Sequence, residues 1–458
     1  MTAISVSFRK RRALTWLALT LLLGALFAAR ANLIGSQSLI CARLGLGSND
    51  LGLPIPAGHV AFAVAGLLAG PLVDFIGGRR ALRIGIIGAV VCNLLLGLCL
   101  WGLVVSPAHT ESGAPYAVPV LRLGLTPESL VLVLTALWVG NNAFHAMASL
   151  SIPCILANWF RTKERGFFAG LYHTLSPAAR NPAMLVGSLF VTVAYETAFI
   201  LPALLLAVMG LLCWSRIKES PQHAGFDDFD TGDAPWPPCV SAVGFAAPLR
   251  LLFSSATPWV VALCVLCIAV VQFSIDAWLP MYLRFAMGMG MVQLKNSEAY
   301  QLYSSVHPLA GGVGLLLAGA VSDRLRSTSR IPQLCTLLLG QTLLLIFLWR
   351  VLDNPTWVMA AALGVTFLAQ TGLMLGVSVL GMDLGRQRAV ATVVGLIVFA
   401  SYAGSTLSGR CLGRLLDYAR AAGPAGSEFA VWPLWPLAFA ALGLVSSTLL
   451  WRHAHIRQ

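Results

Sequence analysis

The chain has 458 residues, of which 58% are hydrophobic and only 10% are charged, against about 25% charged in an ordinary soluble domain. That leaves too little polar surface to wrap several aqueous cores, so a soluble enzyme is excluded and an integral membrane protein is implied. The excess of 30 Lys and Arg over 18 Asp and Glu would suggest an acidic partner in a soluble protein. In a membrane protein it reads as loop charge facing the cytoplasm, and no nucleic-acid partner is expected.

One helical span and its loop take about 38 residues, which predicts about twelve spans. The apolar runs are continuous rather than alternating, which excludes a β-barrel. In chain order the spans are expected near 14–36, 57–72, 82–105, 129–157, 167–191, 197–214, 259–283, 303–321, 332–350, 357–381, 389–411 and 431–451. Arg9-Lys10-Arg11-Arg12 ahead of the first run is read as the flank of an uncleaved helix, not a removed leader. With the N-terminus inside, 20 of the 30 Lys and Arg fall in cytoplasmic segments, seven in external ones and three within spans. That bias predicts both termini on the cytoplasmic side of a plasma or inner membrane.

The longest polar stretch, 215–258, divides the spans six and six. It carries Ser220-Pro221-Gln222, the acidic run Asp227-Asp228-Phe229-Asp230 and Trp236-Pro237-Pro238, and is read as a solvated cytoplasmic linker. The expected domains are therefore a six-helix bundle over 1–214, the linker, and a second six-helix bundle over 259–458. The ten cysteines lie mostly in apolar runs. Cys264 and Cys267 form a CxxC without a second pair or a nearby His, read as packing rather than redox or metal chemistry. No nucleotide-binding, hydrolase or metalloprotease motif is present, so neither an enzyme nor a cofactor is expected.

A loop signature recurs at matching places in the two halves. Gly70-Pro71-Leu72-Val73-Asp74-Phe75-Ile76-Gly77-Gly78-Arg79-Arg80-Ala81-Leu82 follows the second span, and Gly319-Ala320-Val321-Ser322-Asp323-Arg324 follows the eighth. Gly70 and Gly319 would allow close helix approach. Asp74 and Asp323 would accept bonds from a helix N-terminus or pair with loop arginines such as Arg79 and Arg324. Gly77-Gly78 would permit a tight reversal.

This pattern resembles the signature loop of the major facilitator superfamily. The resemblance implies an all-α membrane protein with twelve helices in two pseudo-symmetric bundles, moving a solute by alternating access. Three further stretches resemble the organophosphate:phosphate antiporters and the organic-anion symporters beside them. They are Arg30-Ala31-Asn32-Leu33 with Asn49-Asp50-Leu51-Gly52, then Trp159-Phe160-Arg161-Thr162-Lys163-Glu164-Arg165-Gly166, then Thr392-Val393-Val394-Gly395 through Tyr402-Ala403-Gly404. The resemblance makes Glu164 and Arg165 gating residues beside the two signature loops, and Arg30, Asn32, Gln272 and Tyr402 substrate contacts. The chain also departs from that branch. Gln272 stands where a second arginine is expected, Gly66 where a lysine is, and Ser176 where a histidine is. A monoanion, a zwitterion, or a phosphate gripped differently fits these changes.

Charges deep in apolar runs are costly, about 2.5–3.5 kcal/mol each on insertion scales, and usually face a cavity or a partner. Arg30 lies 18 residues past Arg12, and Asp276 lies 18 past Pro258. First spans of the two halves face the central cavity in the superfamily, so the resemblance places these two charges within reach of each other. Arg30 would hold a carboxylate or phosphate oxygen, and Asp276 a cationic group or a coupling proton; the bland alternative is a structural ion pair. Arg180 is read as a relocated anion clamp or as an interfacial arginine paired with Glu196. His145 and His173 are read as proton relays or packing residues. The expected function is secondary active transport of a small organic anion by proton symport or anion exchange. An exporter of amphipathic compounds and a non-transporting sensor are the alternatives. The expected partners are a small-molecule solute and the lipid bilayer, and a monomer suffices.

Overall fold

The computed structural model describes residues 5–44, 54–101, 103–109, 115–121, 127–175, 196–227, 229–233, 244–324, 330–386, 388–423 and 426–456. Among them eleven helices are long and apolar enough to cross a membrane. The fifth expected span, 167–191, is described only as far as residue 175, and Arg180 and the Asn49–Gly52 stretch lie outside the described residues.

The elements run α1 (Val6–Leu44), α2 (Pro54–Ile76), α3 (Gly78–Trp101), β1 (Leu103–His109), β2 (Pro115–Leu121), α4 (Pro127–Trp159), α5 (165–175) and α6 (Thr197–Trp214). There follow α7 (Ala246–Ser254), α8 (Thr257–Ala286), α9 (Met291–Asn296), α10 (Glu298–Arg324), α11 (Ile331–Arg350) and α12 (Pro355–Met374). The last are α13 (Gly381–Gly385), α14 (Val390–Thr406), α15 (Leu412–Ala422), α16 (Ser427–Val431) and α17 (Leu434–Ile456). Residues Leu375–Leu380 join α12 to α13 as a π-helical turn, and Leu407–Cys411 join α14 to α15 in the same way. The helical class read from hydropathy is therefore present. The antiparallel hairpin β1–β2, in register from Leu103 with Leu121 to His109 with Pro115, was not anticipated, because its residues sit at the end of the expected third span and in what reads as a plain external loop.

Helices extend beyond the apolar runs that announce them. α1 begins at Val6 and includes the Arg9–Arg12 cluster, because long basic side chains are good helix formers. Apolar side chains point outward in quantity: Leu211 is 79% exposed and Leu309 66% exposed. A water-soluble fold would not tolerate this, whereas lipid does.

The chain forms two compact units. The first comprises Met1–Trp159 and Leu175–Thr231, the second Phe160–Thr174 and Gly232–Gln458. The start of the fifth span thus groups with the second unit, and the beginning of the 215–258 stretch with the first.

In the first unit, α4 packs against both α2 and α3, and α6 against α1 and α3. The segment after α6 lies along this unit. Trp159 donates its indole N–H to the Lys218 carbonyl at 3.0 Å, and the Asn158 amide donates to that of Glu219 at 3.1 Å. Phe8 packs its ring at 5.9 Å from Trp159, 5.3 Å from Phe226 and 5.0 Å from Phe229. Phe226, just before the acidic run, and Phe229, within it, are thus anchors that hold the chain after α6 on the unit.

In the second unit α8 is the central helix, with α12, α14 and α17 packed on it. Val261, Val265, Ile268, Val271, Ile275 and Leu279 along it are all fully buried. Against this burial Gln272 and Asp276, one turn apart on the helix, stand out.

Candidate functional site

In the first unit the deep arginine sits in a composed setting. Arg30 is half-buried on α1. Its Nε donates to Asn142 Oδ1 on α4 at 2.9 Å, and its guanidinium carbon lies 3.7 Å from the ring centroid of Phe62 on α2. Asn142 is fixed in turn, donating its own amide to the Trp138 carbonyl at 2.9 Å. A cation over an aromatic face and a fixed amide acceptor together orient the guanidinium. His145, three residues beyond Asn142, is buried within electrostatic reach of Arg30, and its Nε2 has no hydrogen-bond partner among the described residues.

Asn32 is placed differently. Its amide donates to Asn93 Oδ1 at 2.7 Å, and Asn93 donates on to Asn141 Oδ1 at 2.8 Å. The three buried amides tie α1, α3 and α4 together. Asn93 was not singled out from sequence; a lone amide inside an otherwise apolar third span was the available signal.

In the second unit Gln272 and Asp276, one helical turn apart on α8, are directly bonded. Gln272 Nε2 donates to both carboxylate oxygens of Asp276, at 2.8 and 2.9 Å. The carboxylate also meets His307 Nε2 of α10 at 3.1 Å, and that nitrogen lies 3.2 Å from Thr366 Oγ1 of α12. Sequence reading missed His307, although it is an imidazole inside the expected eighth span. A cavity of about 510 Å³ elsewhere in this unit is lined by Trp278, Arg284, Phe285, Arg420 and Phe429, not by Gln272 or Asp276. His173 on α5 bonds through Nε2 to Ser378 in the π-helical turn after α12, and its ring meets Tyr172 edge-on at 4.7 Å. Tyr402 is half-buried on α14.

The densest charge network of the second unit surrounds Arg165, whose side chain is fully buried. It grips Asp233 with both terminal nitrogens, at 2.6 and 2.7 Å, and reaches Asp383 at 2.9 Å. Arg330 bonds Asp383 at 3.1 Å and Asp323 at 3.2 Å, and also reaches the Thr162 carbonyl. Asp323 receives the backbone N–H of Gly166 at 3.2 Å and of Phe167 at 2.7 Å, so it caps the N-terminus of α5. Burial pushes its carboxyl above the ordinary range, while these N–H groups and Arg330 act against that. Two guanidinium groups and three carboxylates form one connected set. Arg324 is exposed; Arg330, six residues on, is the arginine that reaches Asp323. Glu164 is half-buried at the start of α5, where its backbone carbonyl accepts from Phe168 N at 3.3 Å.

Gly166 and Gly319 permit the close approach that this capping needs. A Cβ on Gly319 would lie 2.3 Å from the Gly166 carbonyl oxygen, and one on Gly166 2.6 Å from the Asp323 carboxylate.

The first copy of the signature uses other partners. Gly77 has φ +90°, a left-handed turn that only glycine adopts without strain. The chain reverses there into α3, whose first two N–H groups, on Gly78 and Arg79, donate to the Glu219 carboxylate at 2.9 and 2.6 Å. Cys154 Sγ meets Asp74 at 3.5 Å, and the guanidinium of Arg79 lies 4.5 Å above the Trp214 ring. Gly70 is buried on α2.

The family profile of the Major Facilitator Superfamily matches residues 12–409. The chain belongs to that superfamily. It is 22% identical to the glycerol-3-phosphate transporter of Bacillus subtilis (strain 168), over 81% of this chain and 79% of that one. It is 23% identical to the membrane sensor protein UhpC of Salmonella typhimurium, over 81% and 77%. A probable hexose phosphate transport protein of Chlamydia muridarum is 21% identical over 82% and 78%. Among solved structures, the proton:xylose symporter XylE superposes with a TM-score of 0.67 at 14% identity, covering 97% of this chain and 96% of that one. The fold is therefore that of the superfamily. The chain is a multi-pass membrane protein of that superfamily rather than an enzyme, and the resemblance to the organophosphate:phosphate antiporter branch holds.

Proposed function

We propose that this chain is a secondary active transporter of a small organic anion, with phosphate monoesters as the leading class. The observation that carries the reading is Arg30. Its guanidinium is held mid-helix by Asn142 and Phe62, in a chain whose relatives are named for glycerol 3-phosphate and hexose phosphate. A guanidinium matches a phosphate or carboxylate with parallel N–H bonds. His145, close by with an unpartnered nitrogen, is a second contact for the same anion.

The Arg165–Asp233–Asp383–Arg330–Asp323 network is the gate in this proposal. Its bonds are strong while formed, but each is an exchange of ion hydration for pairing, so the net free energy is small enough for a cycle to make and break. Asp323 capping α5 is the element that switches.

The relative named as a sensor supports a second reading, in which solute is bound but not moved. Counterflow in proteoliposomes separates the two. Vesicles loaded with unlabelled glycerol 3-phosphate, glucose 6-phosphate or inorganic phosphate are exposed to the labelled ester. A transporter produces a transient overshoot of label inside; a sensor is stabilised by the solute against heat yet gives no overshoot. Neither stabilisation nor overshoot with any ester or carboxylate would remove the anion reading altogether.

A further inference from the structure

We infer that the cavity beside the end of α8 binds the headgroup of an anionic phospholipid; this does not depend on the solute proposed above. The cavity, about 510 Å³, is lined from α8, α9, α15 and α16. Its charged lining residues are Arg284, Arg420 and Glu428, and its wall is otherwise largely apolar, with Trp278, Phe285 and Phe429 in it. That wall is fixed. Phe285 and Phe429 stack with ring centroids 5.0 Å apart, and a Cβ on Gly426 would strike the Phe285 ring. Trp278 is held through its indole N–H, which donates to the Ser408 carbonyl at 3.2 Å.

The charges are arranged for an anion. Glu428 is buried and both its oxygens are taken: Oε1 accepts from Arg420 Nε at 3.0 Å, and Oε2 from the Gly426 backbone N–H at 3.2 Å. The two terminal nitrogens of Arg420 are left without a bond among the described residues, and its side chain is 58% exposed. Arg284 is exposed as well, and its guanidinium has no bond or ion pair among the described residues. Two arginines and one glutamate leave the lining with a net positive charge. A phosphodiester, with one negative charge, balances it, and its two unesterified oxygens match guanidinium N–H groups. A zwitterionic headgroup would add a cation that finds no open carboxylate in the lining.

Depth along the helix selects a lipid rather than a soluble anion. Counted from Thr257, where α8 starts, Trp278 lies about 32 Å along the axis and Arg284 about 40 Å, at 1.5 Å per residue. The hydrocarbon core of a bilayer is about 30 Å thick, and the headgroup layers bring the total to about 40–45 Å. With Thr257 at one edge of the core, Trp278 falls at the opposite edge and Arg284 among the headgroups. Met281 and Phe285, 47% and 50% exposed, carry the apolar wall out to where acyl chains run. A phosphate on the arginines therefore sets its glycerol and first methylenes against Trp278, Met281 and Phe285. Inorganic phosphate would use the arginines and leave that wall unfilled.

The test titrates the purified full chain in neutral detergent with phosphatidylglycerol or with phosphatidylcholine of the same acyl chains. The readout is the thermal unfolding temperature, which a ligand of the folded form raises. Phosphatidylglycerol should reach half its effect at a concentration about fivefold lower than phosphatidylcholine. Arg284→Gln should raise that concentration about fivefold, the factor for one arginine at a lipid surface. Arg350→Gln, at an exposed arginine ending α11 outside the cavity, should leave it unchanged. A second readout needs no variant: phosphatidylglycerol with a photoreactive diazirine near the head of one acyl chain should label wild-type peptides spanning 278–291 or 416–429. The inference is overturned if the two lipids act alike, or if folded Arg284→Gln responds to phosphatidylglycerol as wild type does. It is equally overturned if inorganic phosphate gives the same Arg284-dependent stabilisation, which would make this a soluble-anion site, or if the label falls elsewhere.

Discussion

The two copies of the repeated loop share a glycine and an aspartate at the same spacing and end in different chemistry. Around Gly77 the chain turns through φ +90°, and Glu219, which lies beyond α6, caps α3 with two short N–H bonds. Around Gly319 the signature's own Asp323 caps α5, and Arg330 ties it to Asp383 and thence to Arg165 and Asp233. The first copy is a helix cap made by a carboxylate from outside the signature, and the second is one node of a five-charge lattice. A motif therefore specifies a reversal and a carboxylate, while the surrounding sequence decides whether that carboxylate caps a helix within a charge network.

The comparison breaks most sharply at Arg165. Replacing it with Ala removes the fully buried guanidinium that bonds both Asp233 and Asp383, and should cost about 3–5 kcal/mol, the range for removing one member of a buried pair. Thermal unfolding in detergent would register this as a large drop, partly recovered by adding Asp233→Ala. Gly319→Ala should rank next, at about 1–3 kcal/mol for overpacking, since its Cβ would strike the Gly166 carbonyl. Transport should fall with it if the second copy switches. In the first copy, Glu219→Gln removes the charge but keeps an acceptor for the α3 N-terminus. A loss of about 1 kcal/mol or less is expected there, with transport nearly intact. Arg324→Ala, at an exposed site outside the lattice, should stay within about 0.5 kcal/mol of wild type; a larger loss would mean that the network extends further than Arg330.

Much of this was legible in the sequence for one physical reason: lipid admits charge only where it is used or matched. The span pattern, the duplicated signature and the positions of Arg30, Gln272 and Asp276 all follow from that rule. Asp323 at a helix N-terminus was foreseen, and Arg330 in place of Arg324 was not, because which of two loop arginines turns inward depends on tertiary packing. Asp233 was invisible for a different reason. An acid in a proline-rich polar stretch looks solvated, and only the fold brings it to Arg165. His307 was hidden by its place near the start of a span, where a polar residue reads as interfacial. Phe226 and Phe229, beside and within an acidic run, looked incidental and prove to be the anchors for the chain after α6.

The account turns on the guanidinium of α1, and the most direct test is counterflow of labelled glycerol 3-phosphate by Arg30→Ala and Arg30→Lys beside wild type, each at matched reconstitution. Losing a charged partner of a bound anion costs about 2 kcal/mol or more. The alanine variant should therefore fall at least thirtyfold, and lysine, which keeps the charge but not the paired N–H geometry, should lie between. An alanine variant that exchanges the ester at the wild-type rate would contradict the anion site.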